Sequence, residues 1–162
     1  MELLKTLTQM YSPSGNENKI ADFISDYISE YADEIYRDNM GNLVVRKYGS
    51  GKKILLAAHM DEIGVLVNYI DDNGFLRFSP LGGVMPQCAL YQMVMFENGV
   101  KGVVAYEEKS DVKKGLDFSK MYIDIGVKDA NEAQKLVNIG DSAVFCGEFH
   151  SQGDVVFSKS MD

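Results

Sequence analysis

The spacing of hydrophobic positions changes several times along the chain, and each change predicts an element. Leu3, Leu4, Leu7 and Met10 recur at helical intervals, which predicts a first helix over residues 2–11. Ser12-Pro13-Ser14-Gly15 breaks it. Ile20, Phe23, Ile24, Tyr27, Ile28 and Tyr31 then keep the i, i+3, i+4 rule and predict a second helix over 16–32. Ser14 and Glu17 stand in capping-box spacing ahead of it, where a hydroxyl and a carboxylate can each satisfy an open backbone N–H.

Beyond the helices the period shortens. Residues 34–37 and 43–48 read as two strands around the turn cluster Asp38-Asn39-Met40-Gly41-Asn42. Ile54-Leu55-Leu56-Ala57-Ala58 is apolar throughout, which predicts a strand covered on both faces, as in a helix-flanked sheet. From Gly64 onward the texture is hairpins. Residues 65–70 and 75–78 flank Asp71-Asp72-Asn73-Gly74, and residues 91–96 and 100–106 flank Asn98-Gly99. Residues 121–127, 142–149 and 155–158 read as further strands. Residues 130–137 read as a short helix with Asp129 or Asn131 near its start. The simplest organisation is α/β: residues 1–66 begin a helix-and-sheet domain, 67–150 form an inserted β-rich module, and 151–162 return to the first domain. The polar stretch 109–115 reads as a loop.

Composition narrows the function classes. A length of 162 residues with 46% hydrophobic and 25% charged residues fits a soluble globular chain with a core. A net charge of −8 disfavours nucleic acid and anionic membrane surfaces. No apolar run is long enough to span a bilayer, and no secretory leader is legible after Met1. Cys88 and Cys146 form no C-x-x-C motif, so they read as small buried hydrophobes in a reducing cytoplasm.

The candidate chemistry sits in Ala57-Ala58-His59-Met60-Asp61-Glu62-Ile63-Gly64, directly after the predicted buried strand. Sites in α/β sheets form beyond the carboxyl ends of strands. In extended backbone His59 and Asp61 share a side. Imidazole is a common zinc or cobalt ligand, and a neighbouring carboxylate fixes its tautomer. His150 falls in the β-rich module and reads as a surface histidine.

This stretch resembles the metal site of the M42 family of metallo-aminopeptidases. Ser12-Pro13-Ser14-Gly15-Asn16-Glu17, Asp38-Asn39-Met40-Gly41-Asn42, Pro80-Leu81-Gly82-Gly83, Ile123-Asp124-Ile125-Gly126, Ile139-Gly140-Asp141 and Ser158-Lys159-Ser160-Met161-Asp162 resemble other family segments in the same order. The resemblance implies that His59 binds one metal, that Asp61 orients His59 as the catalytic carboxylate, and that Asp162 bridges two divalent ions. Those ions would be zinc or cobalt, with manganese as a third candidate. It implies a peptide substrate cut at its N-terminus. It also implies a PDZ-like inserted domain that dimerises, with dimers building a larger shell. The family pattern continues past residue 162 with a Glu-Glu pair, a further Asp and a distal His. The 162 residues are therefore expected to be an N-terminal part, catalytically incomplete alone. Glu107-Glu108 lies too early in the chain to replace that pair and reads as solvated charge.

Two other functions are compatible with parts of the chain. The β-rich module could serve as a non-catalytic oligomerisation or binding unit. Some M42 relatives carry an endoglucanase label, but glycoside hydrolysis needs two facing carboxyls, and adjacent Asp61 and Glu62 would point apart.

Overall fold

The computed structural model describes residues 1–107 and 115–161. Two helices lead the chain, α1 (Glu2–Gln9) and α2 (Asn18–Ile28), the second ending in a 3-10 turn at Ser29–Tyr31. A hairpin follows, β1 (Glu34–Arg37) with β2 (Leu43–Arg46). Asp38 closes its turn: one carboxylate oxygen accepts from the Met40 and Asn42 N–H groups and the other from the Asn42 side chain.

The core lies in the next part. Strands β3 (Gly64–Ile70), β4 (Leu76–Leu81), β5 (Met93–Phe96), β6 (Lys101–Tyr106), β7 (Met121–Asp124) and β8 (Ser142–Phe145) close into an antiparallel barrel in the order β3-β4-β7-β6-β5-β8. Closure satisfies the sheet edges that an open module would leave bare. Alternation fills the interior with Val65, Val67, Leu76, Phe78, Val94, Phe96, Val104, Met121 and Ile123, all buried. A register shift between Val67 and Tyr69 bends β3 as the barrel curves. Helix α4 (Ala130–Gln134) packs its Ala133 into the same core. Asp129 caps it, accepting from the Glu132 N–H at 2.9 Å.

The turn between β3 and β4 requires glycine. Gly74 has φ of +81°, and a Cβ there would sit 2.8 Å from the Asp129 carbonyl oxygen. After the barrel, β9 (His150–Gln152) and β10 (Val155–Phe157) form a separate hairpin. His150 is exposed on it, with Nε2 3.6 Å from the exposed Glu148 carboxylate.

Several expectations change here. Residues 54–58 form no strand, and Ile54, Leu55 and Leu56 are 85%, 88% and 91% exposed. Among the described residues no element pairs with or covers this run, so its apolar pattern has nothing to bury against. The helix-flanked sheet is accordingly not formed by these residues. The expected strand at 142–149 ends early: β8 stops at Phe145, and the next strand, β9, begins only at His150. The capping box does not form: α2 begins at Asn18, with no side-chain cap, and Ser14 lies too far upstream. Cys88 is exposed rather than buried, because on the short helix α3 (Pro86–Ala89) it is Ala89 that enters the core; Cys146 is half-buried, and both are free thiols. Residues 109–114, Glu108 and Asp162 lie outside the described residues.

Candidate functional site

Three chain segments meet beside the mouth of the barrel: residues 10–14 after α1, residues 59–63 before β3, and residues 158–161 after β10. Backbone bonds join the first two. The Glu62 N–H donates to the Ser12 carbonyl at 2.8 Å, and the Ser14 N–H donates to the Glu62 carbonyl at 3.3 Å. Pro13 and Glu62 form a parallel bridge. The next residue but one, Gly64, opens β3. A Cβ on Gly64 would lie 2.5 Å from the Ala143 carbonyl oxygen. Only glycine lets the site segment run this close to β8.

On this scaffold His59 and Asp61 touch. The imidazole Nδ1 is 3.0 Å from Asp61 Oδ1 and 3.0 Å from the Asp61 carbonyl oxygen. The other carboxylate oxygen, Oδ2, accepts a short hydrogen bond from the Ser14 hydroxyl. That bond, ahead of the neighbouring imidazole and against the opposing effect of burial, holds the Asp61 carboxyl below the usual aspartate range. The hydroxyl expected to cap a helix thus supports the candidate site.

Glu62 faces the other way. Its side chain is 5% exposed, and Lys159 Nζ lies 2.6 Å and 2.7 Å from its two oxygens. The Ser160 hydroxyl donates to Oε2 at 2.8 Å, and the Ser12 N–H reaches Oε1 at 3.3 Å. Sequence spacing gave no sign of this cluster, since Glu62 and Lys159 are 97 positions apart.

A cavity of about 650 Å³ opens between these segments and the barrel. His59, Asp61, Met85, Cys88, Phe145 and Met161 are among its lining residues. Met161, the residue before Asp162, therefore shares the cavity with His59. The Asp162 side chain itself lies outside the described residues.

Comparison with known proteins places the chain. The model of the M42 glutamyl aminopeptidase family matches residues 41–162. A protein from Acetivibrio thermocellus with a provisional aminopeptidase name is 55% identical over 161 residues, covering 99% of this chain and 49% of its own length. The chain belongs to the M42 glutamyl aminopeptidase family. Among solved structures, a Thermotoga maritima protein described as an endoglucanase superposes with a TM-score of 0.86 at 37% identity, over 98% of this chain and 49% of that one. The Pyrococcus horikoshii TET1 peptidase, described as assembling into a tetrahedron or a large octahedral shell, superposes with a TM-score of 0.81 at 35% identity, over 92% of this chain and 47% of that one. These neighbours share its α/β fold. This M42 chain spans about half the length of the curated relatives it matches.

M42 membership prompts the question whether these residues suit a metal. A carboxylate on Nδ1 directs a histidine to coordinate through Nε2, which is the arrangement of metal-bound imidazoles. His59 and Asp61 have it. Among the described residues, no group of three or more His, Cys, Asp or Glu side chains is arranged to hold a metal ion. The described residues thus fit one arm of a metal site, not a whole coordination sphere. The endoglucanase description finds no counterpart in the Asp61–Glu62 pair. Asp61 is turned to Ser14 and His59, while Glu62 is buried on Lys159, so the pair cannot flank a sugar bond. No helix among the described residues is long and apolar enough to cross a membrane.

Proposed function

We propose that this chain is the N-terminal part of a metal-dependent aminopeptidase that removes N-terminal residues from peptides. The observation carrying the reading is the His59–Asp61 contact, braced by Ser14, in a chain of the M42 family. In this reading His59 binds one divalent ion through Nε2, and Asp61 holds the ring and keeps it basic. Asp162 would be the shared ligand of a pair of zinc or cobalt ions, or of manganese, and such a pair would supply Lewis-acid chemistry for peptide hydrolysis at neutral pH. The cavity beside His59 receives the peptide. The proton-shuttling base belongs to sequence beyond residue 162, so residues 1–162 alone turn nothing over.

The same reading divides the chain into residues 1–66 and 151–162 of a catalytic domain and an inserted PDZ-like domain over 67–150. The barrel's self-contained core and the shells described for the P. horikoshii relative support a homo-oligomer built through that insert. The two free thiols fit a reducing cytoplasm. If the barrel alone carries the function, assembly persists without catalysis.

The test is hydrolysis of aminoacyl p-nitroanilides by the intact protein and by residues 1–162. The intact protein is expected to cleave free but not N-acetylated substrates, to lose activity with a chelator, and to regain it with zinc or cobalt. Turnover by residues 1–162, or chelator-resistant cleavage, would falsify the proposal.

A further inference from the structure

The cluster around Glu62 has no part in the chemistry described above, yet it is the most deeply buried charge in the molecule's described residues. Every donor of the Lys159 ammonium has a partner: both Glu62 oxygens, and the Met10 carbonyl at 3.2 Å. Glu62 in turn takes the Ser160 hydroxyl and the Ser12 N–H. One carboxylate thus joins all three segments that form the site. A buried ion pair is a poor way to gain stability, because losing water costs each charge about what the partner returns; apolar residues of equal size often serve as well. What such a pair fixes well is position.

The backbone at the far end of the cluster supports this. Ser160 has φ of +55°, a left-handed conformation that a residue with a Cβ adopts at a cost. Its hydroxyl bond to Glu62 holds it there. The turn falls two residues before Asp162 and leads Met161 into the cavity that His59 lines. Likewise, Glu62 lies three residues after His59 and one after Asp61.

We infer that Glu62 and Lys159, with Ser160, are positioning residues that hold the 158–161 segment against the 59–62 segment, so that the arms carrying Asp162 and His59 meet over one metal site. The inference rests on the metallo-aminopeptidase reading. Neither residue is assigned as a metal ligand; both lie at the edge of the cavity, with their charges spent on each other, and act through the backbone they tie. Their loss therefore lowers metal affinity without altering a ligand.

The test uses the intact protein stripped of metal and titrated with Co²⁺, read by visible ligand-field absorbance, beside thermal unfolding. Lys159→Met leaves Glu62 buried and unpaired; it is expected to lower the melting point and weaken Co²⁺ binding about 10–100-fold, the usual effect of losing an orienting partner. The double variant Glu62→Met/Lys159→Met removes both charges. It is expected to recover much of the melting point but not the Co²⁺ affinity, because packed methionines hold no register. A double variant that binds Co²⁺ within twofold of the parent would show the pair to be packing alone and overturn the inference. If the parent binds Co²⁺ and both variants match it, only the positioning role falls. If the parent binds none, the metal reading falls and this role with it.

Discussion

His59 Nδ1 lies 3.0 Å from Asp61 Oδ1 and the same distance from the Asp61 carbonyl oxygen, so one residue grips the imidazole edge at two points. The grip fixes the ring's rotation and tautomer together. Asp61→Asn keeps the shape and removes the charge that makes the ring a stronger donor. The expected outcome is metal binding weakened about 10–100-fold with the fold intact. Isothermal titration with Zn²⁺ checks it; unchanged affinity removes Asp61 from the site.

His59→Ala should separate function from folding more sharply. The His59 side chain is 60% exposed, so the substitution is expected to change stability by no more than about 0.5 kcal/mol. Peptidase activity of the intact protein should disappear. Equal activity in the variant would show that the imidazole is a bystander.

Ser14 sets the protonation of Asp61. The native carboxyl titrates below the ordinary value, chiefly through the Ser14 hydroxyl. A depressed native value means that the associated stability is complete above the unfolded aspartate pKa of about 3.9 and is lost as pH falls through the native value. Ser14→Ala should raise the Asp61 titration toward the ordinary value in metal-free protein. Carboxyl-carbon NMR across pH 2–6 reads it directly, and an unmoved titration would mean that another group sets it.

Gly64→Ala should unseat the site from below. Its methyl would meet the Ala143 carbonyl at 2.5 Å, between two backbones with little room to part. The expected cost is about 1–3 kcal/mol, seen as a lower denaturation midpoint. An alanine tolerated without loss would mean that β3 and β8 are less tightly apposed than described.

The run at 54–56 predicts a surface property. Three large apolar side chains, 85–91% exposed in succession, form a sticky segment. Residues 1–162 should self-associate at high concentration, and Ile54→Lys with Leu56→Lys should reduce it. Light scattering on both forms decides; equal scattering would place the contact elsewhere.

Residues with local causes were legible in sequence. The α2 periodicity, the Asp38 turn, the hairpins at Asn73-Gly74 and Asn98-Gly99, and the Asp129 cap each follow from neighbours in the chain. Barrel closure was not legible, because alternation tells which face of a strand is buried and not which strand it pairs with. The run at 54–58 misled for a related reason: apolarity states a need for cover without supplying it. At the site, the two-residue spacing of His59 and Asp61 was readable as a shared side. Ser14 was assigned to the nearest helix, since its partner Asp61 lies 47 positions away. The pairing of Glu62 with Lys159 carries no sequence mark, as it exists only once the chain has folded back.

The path of the chain through the barrel has one more consequence. It goes in on β3 and comes out on β8, and those strands are bonded side by side, with Gly64 opposite Val144. The whole cassette is thus attached at a single doorway. Evolution can lengthen its outer turns, graft another all-β unit in its place, or recut the termini within it, while the ground on which His59 and Lys159 stand keeps its layout.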